Sequence, residues 1–228
     1  MVNVPVLFII FLSWLSPSAL PVPAESVVVA LPVVTASVSP NNALDAVSLA
    51  AEELFEEIGL DGQMTSDAFI AGYKSIAAHK AQHRIMAIAD MTKPSTDKRL
   101  YLIDLEKKKL IMRTWVAHGS GTGELYAEHF SNISGSHQTS LGLYRVGVEI
   151  VSPKHGAALL LHGLDRNLND LALEREVIMH GADYVSSDFI AKHGRLGRSW
   201  GCPTVSKEHM PQMLDLLADG GLLFIYGR

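Results

Sequence analysis

A mainly β fold, a β-sandwich or partly closed barrel led by a helical hairpin and carrying one helix near its C-terminus, is what the sequence predicts. Three observations predict it. Apolar residues recur at helical spacing over the first part of the chain beyond residue 41. From residue 84 onward the period falls towards two, in short runs separated by Gly-rich turns. Helical patterning then returns only at 207–218.

In the first helix Leu44, Val47, Ala51, Leu54, Phe55 and Ile58 recur at helical spacing, with Asn41 or Asn42 as N-cap and Gly59 as the stop. A second helix spans about 66–79, with Phe69, Ile70, Tyr73 and Ile76 on its inner face and Asp67 near its start. Two short helices bury too little surface alone, so this hairpin (41–82) is expected to pack on the β-rich region after it. Strands are predicted over 84–90, 99–104, 110–117, 142–149, 158–162, 176–180 and 221–226. The Lys107, Lys108, Lys109 run falls at the tip of a hairpin and reads as a solvated turn. Residues 83–228 form the β-rich domain.

The N-terminal 24 residues read as an export signal. An apolar core over 6–15 is followed by proline-broken sequence and by Val22, Pro23 and Ala24, a small-residue cleavage site. Pro17, Pro21 and Pro23 interrupt the run well short of the roughly 20 residues a span needs. No Lys or Arg precedes the core, which leaves three readings open: a misplaced start, an atypical signal, or an uncleaved segment acting as a loose membrane anchor. Residues 25–40 form a linker. At 48% hydrophobic and 19% charged, the 228-residue chain has the composition of a globular protein, and a net charge of -5 argues against nucleic acid as a partner.

Export makes the cysteine count informative. Cys202 is the single cysteine, and exported proteins that use cysteine structurally use it in pairs. A lone cysteine is either a small buried apolar residue or a reactive thiol. A thiol needs a base or a positive neighbour to become a good nucleophile. His180, followed by Gly181, ends an apolar strand and is the candidate base; His162, followed by Gly163, is its rival. Arg195 and Arg198 precede the cysteine and are candidates to favour its thiolate. Gly201 permits close approach of a substrate, and backbone N–H groups at such a turn can receive an oxyanion.

His180-Gly181, followed by Ser199-Trp200-Gly201-Cys202, resembles the signature of the L,D-transpeptidase (YkuD-type) family, in its murein L,D-transpeptidase catalytic-domain branch. Ser140-Leu141-Gly142-Leu143-Tyr144 is similar to the family's Thr-Pro-x-Gly-x-aromatic strand. The resemblance covers roughly 84 to the C-terminus. It implies a cysteine nucleophile acting on peptidoglycan stem peptides in the periplasm or cell envelope, without a cofactor. Cys202 would attack, His180 would act as base, and the Gly181 carbonyl would hold the imidazole. Gly201 and Cys202 would offer their N–H groups to the oxyanion, with Ser199, Trp200, Arg198, Arg195, Tyr184 and His118 around the substrate. Two departures stand out: Trp200 replaces the family's usual histidine before Gly-Cys, and Pro203-Thr204 replaces its Ile/Val-Arg.

Other stretches carry less. His118-Gly-Ser-Gly-Thr-Gly123 lacks the Gly-Lys-Ser/Thr ending of a phosphate loop and reads as a loop over the cleft. Ser136-His137-Gln138-Thr139 is polar enough to line a groove. His118, His180 and Cys202 share no metal-binding spacing, so the sequence implies no metal. Four functions remain open: the acyltransferase, an L,D-carboxypeptidase resolving the same thioester with water, a degenerate peptidoglycan-binding protein in which Trp200 marks lost chemistry, and a zinc hydrolase, which a chelator would silence.

Overall fold

The structure, a computed structural model, describes residues 40–228. The expected signal (1–24) and nearly all of the linker (25–40) lie outside the described residues. Among those described, no helix is long and apolar enough to cross a membrane.

Two antiparallel helices, α1 (Pro40–Ile58) and α2 (Ser66–His79), lead into β1 (Ile85–Asp90), β2 (Leu100–Asp104) and β3 (Lys109–Thr114). After a long loop come β4 (Gly142–Ser152), β5 (Gly156–Gly163) and β6 (Ile178–Gly181). A short helix α3 (Ser187–His193), the two-residue β7 (Thr204–Val205), α4 (Met210–Leu217) and β8 (Leu222–Tyr226) complete the chain. The strands form one sheet in the order β3-β2-β1-β8-β4-β5-β6-β7. The chain beyond β3 then bonds to the far edge: Ala117 N–H donates to Thr204 O at 2.8 Å and Thr204 N–H returns to Ala117 O at 3.3 Å. The eight-stranded sheet is thereby nearly closed into a barrel.

Alternation along the strands divides the apolar residues between two cores. Ala87, Ala89, Leu102, Val146, Leu161 and Met179 fill the barrel, joined by Met213 and Leu217 of α4. Met86, Ile88, Tyr101, Ile103 and Phe224 face outward and are covered by Phe55, Phe69, Tyr73 and Ile76 of the helical hairpin. This is why β1 and β2 are buried along their whole length rather than at every second residue. Gly72 lets α2 approach closely, since a Cβ there would meet Met86 and the Phe224 ring.

Two elements were not expected. Helix α3 falls in a stretch read as loop; Ser186 caps it by accepting the Phe189 N–H at 3.3 Å, and none of its residues is buried. Strand β7 is too short to show a period. The C-terminal helix starts at Met210, with Pro211 in its first turn, later than the expected 207.

Candidate active site

His180 lies on β6, which pairs antiparallel with β5 and parallel with β7. In the β6–β7 ladder His180 is beside Thr204, so Cys202, two residues before Thr204, comes level with Ile178. Long-range strand pairing therefore brings the cysteine and the histidine together. Both line one cavity of about 690 Å³ with Tyr184, Arg198, Ser199 and Trp200. A second cavity of about 450 Å³ lies against Ala71, Asp165 and Phe224 and contains neither cysteine nor histidine.

The imidazole is held at both nitrogens. Nδ1 is 3.2 Å from the Gly181 carbonyl, which can only accept, so Nδ1 carries the proton and Nε2 keeps a free lone pair. Thr204 Oγ1 stands 3.2 Å from Nε2 and 3.3 Å from the Cys202 carbonyl, and it receives the Tyr184 hydroxyl at 3.3 Å. Among the described residues no hydrogen bond joins Cys202 Sγ to the ring; the Thr204 hydroxyl occupies that edge. On its face the ring carries His155, from the turn between β4 and β5, with centroids 3.7 Å apart. Burial pushes the His180 pKa down to about 4, and His155 and Lys154 add to the shift while the Gly181 hydrogen bond opposes it.

Burial also pushes the Cys202 thiol up. The Ile178 N–H, the cysteine's own N–H, and the positive charges of Arg175 and Lys154 act the other way. At neutral pH the pair at rest is thus a thiol and a neutral imidazole, the arrangement for general-base activation rather than a preformed ion pair.

The turn entering Cys202 is braced by its own side chains. Ser199 Oγ donates to the Cys202 carbonyl at 2.7 Å and accepts the Gly201 N–H at 3.1 Å. Thr139 Oγ1 donates to the Gly201 carbonyl at 3.0 Å. Gly201 has φ +122, and a Cβ there would stand 2.9 Å from the Gln138 carbonyl, so only glycine fits.

Several expectations are corrected. The Gly201 N–H is spent on Ser199 and is not a free oxyanion donor, whereas the N–H groups of Ile178 and Cys202 favour the thiolate against burial. Arg195 and Arg198 both pair with Glu124, at 2.9 and 2.6 Å, and neither is among the charges that act on the thiol. The arginine whose charge reaches the sulfur is Arg175, which sequence reasoning missed. It donates to the carbonyls of Ser131 (2.9 Å) and Gln138 (2.7 Å) and to Ser140 Oγ (3.1 Å), holding the 131–140 loop beside Gly201. His118, expected beside the substrate, is 1% exposed, accepts from Arg99 Nη2 at 2.7 Å and is not among the residues lining the cavity. His162, the rival base, sits opposite Arg145 on β5 and also lies outside the cavity. The 136–139 segment does border the site, since His137 stacks on Trp200. Thr204, His155 and Lys154 were missed as well; a hydroxyl two residues after the cysteine was the one available signal. Among the described residues no group of three or more His, Cys, Asp or Glu is arranged to hold a metal ion.

Several solved structures resemble the chain. An L,D-transpeptidase from Mycobacterium smegmatis is 10% identical, covering 63% of this chain and 59% of that one, with a TM-score of 0.41. An L,D-transpeptidase from Stackebrandtia nassauensis is 15% identical, covering 80% and 78%, with a TM-score of 0.40. The helical cell shape determining protein Pgp2 from Campylobacter jejuni is 16% identical, covering 63% and 47%, with a TM-score of 0.40. The chain thus spans less than two thirds of the first and third of these structures. No curated protein matches it. The L,D-transpeptidase catalytic domain family matches residues 58–226, well over half of the sequence, and the chain belongs to that family.

Proposed function

We propose that the protein is a cysteine-dependent peptidoglycan L,D-transpeptidase of the cell envelope. The observation that carries this reading is the meeting of Cys202 and His180 in one cavity, with the imidazole proton directed to Gly181 and its unprotonated Nε2 beside a hydroxyl that has a second partner. Cys202 attacks the carbonyl on the L-centre of the third stem-peptide residue, and His180 takes the thiol proton. Nε2 becomes available when the Thr204 hydroxyl turns fully to the Cys202 carbonyl, its second partner. The tetrahedral oxygen gathers N–H donors at Cys202 and Ile178, with the Arg175 charge behind them. The C–N bond to the terminal D-Ala breaks, the His180 proton goes to its nitrogen, and a thioester remains.

An amine of a second stem peptide then attacks the thioester, giving an L,D cross-link and restoring the thiol. Water in the same role makes the protein an L,D-carboxypeptidase. Family membership supports the substrate class, and the apolar N-terminal segment supports export.

The test is turnover of a purified disaccharide-tetrapeptide. The expected result is release of D-Ala with a tripeptide or cross-linked dimer as co-product, lost in Cys202→Ala and unaffected by a chelator. D-Ala release that survives Cys202→Ala would overturn the assignment. Retention of peptidoglycan by a chain that never releases D-Ala would favour the binding-protein reading.

A further inference from the structure

We propose that Lys154 and Trp200 form a clasp that decides how the thioester is resolved, by holding the β4–β5 turn over the face of His180. This rests on the acyltransferase reading above and adds to it a specificity-determining contact.

The turn at 153–155 carries two contacts in opposite directions. His155 places its imidazole on the face of His180, with 3.7 Å between centroids and 27° between planes. Lys154 extends its ammonium over the Trp200 ring, 4.6 Å from the centroid. Trp200 is anchored on the far side of the cavity by stacking with His137, centroids 5.0 Å apart and planes 5° apart. A continuous bridge therefore runs from the 136–139 loop through Trp200 and Lys154 to His155 and the catalytic base.

Ordinary burial does not explain this bridge. Trp200 is 71% exposed, the Lys154 side chain is solvent-exposed, and neither belongs to an apolar core. An indole left this exposed beside a cysteine, and gripped by a cation from another element, points to a role at the rim of the site. β4 also carries a register shift between Val146 and Glu149, so the outer half of the hairpin is offset from its base, as a bulge that re-aims a strand end would produce.

The chemical consequence concerns the second half-reaction. Resolution breaks the C–S bond and forms either C–N, with an amine, or C–O, with water. In both, His180 accepts the proton of the attacking group and returns it to the departing sulfur. With Nδ1 on Gly181, the base takes a proton only through the in-plane lone pair of Nε2, which opens on the cavity beside Cys202 and Thr204. Lys154, His155 and Trp200 line that cavity, so the clasp narrows its mouth; a bound acceptor peptide fills the space beside Nε2, whereas bulk water reaches Nε2 more freely when the clasp opens. Loosening the clasp therefore raises hydrolysis relative to amine transfer.

Both products arise from one thioester, so their ratio is independent of how fast that thioester forms. With disaccharide-tetrapeptide as donor and acceptor, tripeptide and cross-linked dimer are quantified by mass spectrometry for wild type, Lys154→Met and Lys154→Arg. An exposed cation–π contact is worth a roughly two- to fivefold equilibrium change. The tripeptide-to-dimer ratio is thus expected to rise about two- to fivefold in Lys154→Met, to stay at the wild-type value in Lys154→Arg, and to rise again in Trp200→Leu. An unchanged ratio in Lys154→Met and Trp200→Leu, with D-Ala still released, would overturn the clasp and leave the acyltransferase reading intact. A wild-type protein that forms no acyl-enzyme would overturn that reading, and the clasp with it.

Discussion

The resting protonation state of the site yields a prediction that separates two forms of cysteine chemistry. His180 falls from an ordinary pKa of about 6.5 to about 4, equivalent to about 3 kcal/mol in favour of the neutral ring. The Cys202 thiol is shifted the other way. Even an ordinary thiol, near about 8.5, would stand more than about four units above that ring, so the thiolate–imidazolium pair lies roughly 6 kcal/mol above the neutral pair before their mutual attraction is counted. Alkylation by iodoacetamide reports thiolate directly. Followed by intact mass from pH 5 to 10, the rate should stay below about 3% of its limiting value at pH 7 and rise about tenfold per pH unit above that. The acid limb of kcat/KM should fall near pH 4, because protonation of His180 removes the base. A plateau of alkylation extending below pH 6, abolished by His180→Asn, would mean a preformed ion pair and would refute the general-base account.

Three further outcomes are expected from the same geometry. Arg175→Met leaves the Ser131 and Gln138 carbonyls without their charged donor; it should cost about 2–4 kcal/mol in urea unfolding and move the alkylation midpoint to higher pH, and no change in either would remove Arg175 from the site. Thr204→Val removes the hydroxyl that must leave Nε2 before the base can act, while keeping the shape of a fully buried side chain; kcat should not fall, and a drop of about tenfold that Thr204→Ser restores would contradict the account. Buried His118 is held near pKa 4, below its unfolded value near 6.5, so the unfolded chain gains protons first as pH falls. Stability present above about pH 6.5 is lost between 6.5 and about 4, by about 3 kcal/mol, and equal urea midpoints at pH 7 and pH 4.5 would contradict this.

The fold was largely legible because most elements carry a period. The α2 helix spans the predicted residues, since its apolar positions repeat and Asp67 sits in its first turn. The runs that became β1, β2, β5 and β8 are apolar enough to stand out alone. Helix α3 was hidden because it buries no residue and so shows no apolar stripe. The candidate site was legible where its residues are contiguous, in the segments at His180-Gly181 and Ser199-Trp200-Gly201-Cys202 that the fold brings to one cavity. Arg175 was not, because it lies between Glu174 and Glu176 in a polar stretch that reads as an ordinary surface loop. Lys154 and His155 were hidden in the same way: polar residues at a hairpin tip look like turn chemistry, and only strand pairing brings them to β6. The two arginines beside the cysteine misled because sequence proximity does not reveal Glu124, which pairs with both.

The central claim is that Cys202 becomes the acyl carrier. Acid-quenched mixtures of enzyme and disaccharide-tetrapeptide, read by intact-protein mass spectrometry with peptide mapping, test it most directly. The account predicts a transient mass gain equal to the disaccharide-tripeptide acyl group, on the peptide containing Cys202 and absent from Cys202→Ala. Turnover with no such adduct at any quench time, or an adduct on another residue, would contradict it.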